Sequence, residues 1–276
     1  MTSPSESELS RVRRAAGAGR GHGEVLGSSA TKFDVGGYKL AAEISGEGAP
    51  TVVFISGSGD AGDSWDAAMS ALRWSTTLMT YARAGIGESQ IPADPTPRLV
   101  SVAAEELRRL LAATDIAGPF TLVGHSIGAL IGLVFAAQWP ENLAGLVLVD
   151  ATDIQLNLEI EEPILVFADG GREDHLSFDV VASADEVTRS GRALDVPSVV
   201  ITSRVGRWLD VADPEPWRPF SLAQLDKRWQ RHHRAFAADL GATHKVARLG
   251  GQYIQKDAPT IVAEAIDNLV DSAGRR

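Results

Sequence analysis

The chain has 276 residues, 44% hydrophobic and 22% charged, with a formal net charge of −10. That length and balance predict one large soluble α/β domain with a sizeable core, and the acidity argues against nucleic acid or an anionic membrane as partner. With no cysteine in the sequence, disulfides, thiolate metal sites and a cysteine nucleophile are excluded.

Residues 1–28 are rich in Ser, Gly, Ala and Arg. No apolar stretch follows Arg13-Arg14, so this segment reads as a flexible tail rather than a signal peptide. No apolar run reaches membrane-spanning length, and the expected location is the cytoplasm. Residues 29–150 then open the folded core. Alternation over residues 31–45 predicts a β-hairpin with Gly36-Gly37 at its turn. Residues 51–55 read as a buried strand running into Ser56-Gly57-Ser58-Gly59, and residues 76–81 as another, which ends at Arg83-Ala-Gly-Ile-Gly-Glu-Ser89. Ala103, Leu107, Leu110 and Leu111 share one helical face, with Ser101 as the expected N-cap. Residues 120–123 are a further apolar run, residues 129–138 a small-residue apolar helix, and residues 146–149 a strand ending at Asp150.

Between residues 151 and 197 this rhythm breaks. Ile154, Leu156, Leu158 and Ile160 alternate with polar residues, which is a strand period, until Pro163 interrupts it. The stretch is expected to be a small cap over the site, with room for a hairpin; a surface excursion or a dimer edge is the alternative. The core resumes over residues 198–276. It holds a strand at 199–202, a helix over 222–240 with Ser221 as N-cap and Gly241 past its end, and a short strand at 246–249. Ile261, Val262, Ala265, Ile266 and Leu269 mark a final amphipathic helix, with Gly274 beyond it. Strands alternating with helices predict an α/β fold with a mostly parallel, doubly wound sheet, as a monomer or homodimer.

The chemistry concentrates at Gly124-His125-Ser126-Ile127-Gly128, between an apolar strand and an apolar helix. A sharp strand-to-helix turn lifts a serine hydroxyl off the sheet edge, and the helix aims backbone N–H groups and its positive dipole end at any oxyanion nearby. A bare G-x-S-x-G is weak evidence in a chain with 27 glycines; the flanking strand and helix make it informative. Gly57-Ser-Gly59-Asp-Ala-Gly62 also fits the G-x-G-x-x-G of a dinucleotide turn. The following strand, however, ends at Tyr81-Ala82-Arg83 without the acid that a ribose hydroxyl needs, so a dehydrogenase is the minor reading. The same turn at Gly57 suits an oxyanion loop, whose donors would be the N–H groups of Ser58 and Ile127.

A serine needs a base, and the base an orienting acid. The acid candidates are Asp150, Asp153, Asp210 and Asp213. Asp150 sits at a strand's C-terminal end, where functional groups collect, though turn-capping suits it equally; Asp210 reads as a solvated loop charge. No histidine suits the base. His22 is in the tail, His125 points away from the serine inside the elbow, and His175 is in the cap. His232 and His233 read as surface residues of a helix, and His244 precedes the last strand. After that strand the chain reads Leu249-Gly-Gly-Gln252-Tyr253.

Taken together, the Ser56–Gly59 turn, Tyr81-x-Arg-Ala-Gly-Ile-Gly-Glu-Ser89, the elbow, Leu146-Val-Leu-Val-Asp150 and Gly250-Gly-Gln-Tyr-Ile-Gln-Lys-Asp-Ala-Pro259 resemble the α/β-hydrolase fold family. The resemblance runs from about Thr31 to the C-terminal helix. It implies an α/β-hydrolase fold with a small cap, Ser126 as nucleophile, and Asp150 as the acid of one branch, other branches placing theirs after the next strand. Two positions depart from the family pattern. Ala82 stands where an aspartate is usual, and Gln252 where the family has its general-base histidine. Glutamine cannot take up a proton near neutral pH, and losing a triad base costs on the order of 10⁴ to 10⁶ in turnover.

Three functions follow as expectations. The first is a serine hydrolase of an ester, lactone or similar acyl compound, impaired by Gln252. The second is a non-hydrolytic relative (cyclase, lyase or isomerase), and the third is a binding protein that uses the same pocket. Trp65, Trp208, Trp217, Phe167 and Tyr253 could line a pocket for a small apolar acyl substrate or be ordinary core. No metal cluster or phosphate loop is visible in the sequence, so no metal or other cofactor is implied.

Overall fold

The computed structural model describes residues 30–94, 97–169 and 176–274. The expected tail at 1–28, with Arg13, Arg14 and His22, lies outside the described residues, as does His175. The strands are β1 (Thr31–Asp34), β2 (Lys39–Ser45), β3 (Thr51–Ile55), β4 (Leu78–Tyr81), β5 (Phe120–His125), β6 (Leu143–Val149), β7 (Val166–Ala168), β8 (Ser177–Asp179), β9 (Ser198–Thr202) and β10 (Thr243–Val246). The helices are α1 (Asp66–Ser70), α2 (Val100–Ala113), α3 (Ile127–Gln138), α4 (Leu156–Glu159), α5 (Val180–Ser190), α6 (Leu222–Leu240), α7 (Ile254–Asp257) and α8 (Pro259–Gly274).

Eight strands form one sheet in the order β1-β2-β4-β3-β5-β6-β9-β10. The run from β4 to β10 is parallel, while β2 pairs antiparallel with β1 and β4. Helices cover both faces, so the central strands have no polar side. That is why β3 and β5 are buried at every position and read as continuous apolar runs. One core cluster joins Ile55, Leu122, Leu146 and Leu148 to α2, α3 and α5; on the other face Val52, Phe54, Val147 and Val149 pack against α8. Each such buried aliphatic or phenyl side chain contributes roughly 1.5–3 kcal/mol. No helix among the described residues is long and apolar enough to cross a membrane.

The hairpin at 31–45 is present, and α6 matches its predicted span. Ser221 Oγ accepts from Gln224 N–H while the Gln224 side chain accepts from Ser221 N–H, and Gly241 closes the helix at φ 68°, a conformation glycine adopts without strain. Other boundaries differ. Ser101 is not an N-cap: α2 begins one residue earlier, and Ser101 is itself bound by Glu186 through its hydroxyl and its N–H. The last sheet strand lies at Thr243–Val246 rather than 246–249, so His244 is within it. Gly274 is the final residue of α8 rather than beyond it.

The alternating stretch at 154–160 is not a strand. It holds the single helical turn α4, because Leu156 and Ile160 are also four residues apart and both pack against Trp208, Leu225 and Trp229. A hairpin does follow, in which β7 pairs antiparallel with β8.

Two glycines let α3 sit close beneath the sheet edge. A Cβ on Gly124 would lie 2.4 Å from the Gly128 carbonyl oxygen, and one on Gly128 would lie 2.3 Å from the Ile55 carbonyl oxygen. Backbone cannot yield there as a flexible side chain would. Gly128→Ala is therefore expected to lower stability by about 3 kcal/mol or more. Gly132→Ala, where the nearest atoms are 3.4 Å away, should be neutral or slightly stabilising. Urea unfolding of the two variants checks this. Equal stabilities would show that the helix can move away.

Candidate active site

Ser126 follows β5 and caps α3 with φ 54° and ψ −121°, a strained conformation for a residue with a Cβ. Its N–H bonds the Val149 carbonyl at 3.0 Å, tying the turn to β6. Its hydroxyl lies 3.1 Å from that of Thr152, which the sequence reading missed. At the start of α3 Ala129 N–H bonds the Ser126 carbonyl at 3.1 Å, while Ile127 N–H, at the first helical position, has no carbonyl four residues back within the helix. Gly57 lies against this turn: a Cβ there would be 3.5 Å from Ser126 Cβ and 2.8 Å from His125 Nδ1.

The loop after β3 is fixed by buried charge. Arg83 donates to the carbonyls of Ser56 and Gly57 and, from Nε and Nη2, to both oxygens of Asp169. Asp169 follows β7, is 0% exposed, and its own carbonyl accepts from Gly59 N–H at 2.7 Å. Burial works against the Arg83 charge, but the Asp169 carboxylate outweighs it and the pKa stays above the ordinary arginine value. Beyond it, Arg98 approaches Asp169 at 3.6 Å and donates to both oxygens of Glu106 at 2.7 Å. The loop after β3 and the hairpin are thus held by one ion-pair chain. Arg83 belonged to a recognised segment; nothing near Asp169 in sequence singled it out.

Register places His125 opposite Val149 on the neighbouring strand, so Ser126 and Asp150 emerge side by side at the C-terminal edge of the sheet. Asp150 is buried at φ 42°. Its Oδ1 accepts from Ser203 N–H and from the Trp229 indole, each at 2.9 Å, and its Oδ2 lies 3.4 Å from Arg207 Nη2. The other acids lie elsewhere: Asp153 pairs with Arg228, Asp210 is exposed and paired with Arg204, and Asp213 accepts from Glu215 N–H.

The loop carrying Gln252 reaches the elbow. His125 donates from Nε2 to the Gln252 carbonyl at 2.8 Å, and its ring lies 5.1 Å from that of Tyr253. Burial holds His125 below the usual histidine pKa, so the ring is neutral at pH 7. Among the described histidines, none bonds the Ser126 hydroxyl. His244 bonds Thr202, and His232 faces Asp153.

His233 corrects the expectation of a surface residue: it is fully buried and donates from Nδ1 to the Trp229 carbonyl. Burial pushes its pKa down to about 4. An unfolded histidine titrates near about 6.5, so between these values the unfolded chain binds the extra proton. The neutral ring's contribution is complete above about pH 6.5 and is lost as pH falls towards 4, amounting to about 3 kcal/mol. His233→Phe should therefore flatten the acid limb of a stability–pH curve measured by urea unfolding. An unchanged limb would mean that the ring protonates in the folded chain.

Residues 50–244, well over half of the chain, match the alpha/beta hydrolase fold family, and the stretch includes Ser126 and Asp150. The chain belongs to the α/β-hydrolase fold family. The match ends ahead of Gln252. This α/β-hydrolase is 44% identical over 105 residues to the protein named "Putative carbamate hydrolase RutD" of Klebsiella pneumoniae (strain 342), covering 37% of this chain and 38% of that one. It is 34% identical over 127 residues to "Uncharacterized protein Rv2715" of Mycobacterium tuberculosis, covering 46% and 36%. The chain thus spans well under half the length of these curated relatives. Among solved structures, the enol-lactonase from Burkholderia xenovorans LB400 is 17% identical with a TM-score of 0.60, over 87% of this chain and 100% of that one. A thermophilic esterase from Thermogutta terrifontis is 19% identical with a TM-score of 0.59, over 89% and 99%. These two share the fold.

Proposed function

We propose that this α/β-hydrolase carries an acyl-transfer site for an ester, lactone or similar compound, with Ser126 as nucleophile and Asp150 as the acid of the site. The N–H groups of Ser58 and Ile127 stabilise the oxyanion, and residues 151–197 form a cap. The observation that carries the reading is the strained backbone of Ser126 at the start of α3, which holds its hydroxyl off the sheet edge. Attack by Oγ on the acyl carbon breaks the bond to the leaving oxygen, and water then releases the acid from the acyl-serine. The Oγ proton must leave at the first step. Gln252 cannot take it, so turnover by the unaltered chain is slow. The partial likeness to proteins named for carbamate hydrolysis adds carbamates to the acyl compounds worth assaying.

A fluorophosphonate probe tests the reading, because phosphonylation needs an activated serine. Labelling of Ser126 in the Gln252→His variant, absent after Ser126→Ala, is the expected result. No labelling in that variant would overturn the reading.

A second reading, a non-hydrolytic cyclase, lyase or isomerase, is supported by the neutral hydroxyl pair of Ser126 and Thr152. Together with Gln252 it could orient a carbonyl without covalent attack. Conversion of substrate by the unaltered chain that survives Ser126→Ala would favour this reading.

A further inference from the structure

Arg207 opens a one-turn 3-10 helix, Arg207–Asp210, shortly after β9. Its guanidinium carbon lies 4.4 Å from the Trp208 ring centroid and 5.1 Å from that of Trp229. These contacts fix the group without using an N–H donor. A guanidinium has five such donors. The described residues engage one of them, at 3.4 Å to Asp150 Oδ2, a long distance for a charge-assisted bond. Nε is buried with no hydrogen-bond partner among the described residues.

Asp150 does not need Arg207 for its hydrogen bonds, since the Trp229 indole and Ser203 N–H reach it at 2.9 Å. An ion pair built only to neutralise a buried carboxylate would close up and use both forks of the guanidinium. This one stays open, with the Arg207 side chain 12% exposed. It also opens on the right edge. Ser126, Asp150 and Ser203 follow the C-terminal ends of β5, β6 and β9, which are neighbours in the sheet. The charge of Arg207 acts on His125, the residue before Ser126.

We propose that Arg207 anchors a carboxylate carried by the substrate, so that the site takes an anionic acyl compound rather than a plain apolar ester. The inference rests on the reading of Ser126 as the acyl site, and it narrows the substrate class expected from the sequence. With Nε buried, the Nη groups are the ones that meet a planar carboxylate, and Asp150 is its competitor for that charge.

Binding by the intact chain tests this without any turnover. The probes are 5-oxohexanoate and its neutral isostere 5-oxohexanamide, compared by isothermal titration calorimetry. The acid should bind roughly tenfold more tightly or better, the size expected when a hydrogen-bond partner becomes charged. Arg207→Gln should erase that preference by weakening the acid more than the amide, while Arg207→Lys should keep part of it. Asp150→Asn removes the competing carboxylate and should tighten the acid alone, which also serves should Arg207→Gln fail to fold. Arg204→Gln, at a half-buried arginine nearby that pairs with Asp210, should leave the preference intact. Equal binding of acid and amide, no binding of the acid, or a preference that survives Arg207→Gln would each overturn the proposal. A Gln252→His variant that fails to hydrolyse esters would count against the acyl-site reading and leave this measurement untouched.

Discussion

Gln252→His is expected to raise ester turnover by about 10²-fold or more, the largest gain in activity among the substitutions considered. A triad base is worth on the order of 10⁴ to 10⁶ in turnover. A grafted histidine recovers only part of that. Here the Ser126 hydroxyl is shared with Thr152, and Asp150 Oδ2 already faces Arg207. The backbone at 252 is nevertheless in place, because His125 holds its carbonyl at 2.8 Å beside the elbow. The pH dependence separates a true base from a nonspecific gain. Serine, threonine and glutamine side chains do not titrate near neutrality, so the unaltered chain should give a flat profile. In the variant the neutral imidazole is the active form, and kcat/KM should rise with pH through about 6.5 and level off above it. The assay is p-nitrophenyl acetate hydrolysis from pH 5 to 9. A gain without that inflection, or one that persists after Ser126→Ala, would mean that the base reading of position 252 is wrong.

The largest stability effect is expected at Asp169. Asp169→Ala leaves Arg83, itself 1% exposed, as a buried charge without its carboxylate, and breaking such a pair costs about 3–5 kcal/mol. That is a large part of the total stability of an ordinary domain. Replacing both partners, as in Arg83→Met/Asp169→Leu, should recover most of it, because the desolvation of both ions disappears together. Recovery need not extend to function. Arg83 also holds the Ser56 and Gly57 carbonyls, so the folded double variant should have a displaced loop and slower phosphonylation of Ser126 in a Gln252→His background. Urea unfolding gives the stabilities. A loss under about 1 kcal/mol for Asp169→Ala would place this pair with exposed ones such as Arg218–Glu215.

The elements that were legible in the sequence are those whose causes lie within a few residues. Apolar runs set β3 and β5, Ser221 with Gln224 set the start of α6, and the glycines around Ser126 set the elbow. Each depends on neighbours along one strand or one helical turn. The stretch at 154–160 shows the limit of that reasoning. Four apolar residues at every second position satisfy a strand, yet Leu156 and Ile160 also satisfy a helical turn, and the indoles of Trp208 and Trp229 decided between them.

The site divides along the same line. The sequence by itself determined the fold family and the serine at a strand-to-helix turn, because motif residues and strand order are written in linear spacing; the base position at Gln252 is the proposal that the Gln252→His variant tests. Only the tertiary structure decided what those residues touch. Arg83 meets Asp169 across 86 positions, Asp150 meets Trp229 across 79, and His125 meets Gln252 across 127. The burial of His233 and the open guanidinium of Arg207 follow from the same packing. A local pattern can place a side chain at a sheet edge, but its partner is chosen by whichever distant segment the hydrophobic core brings over it.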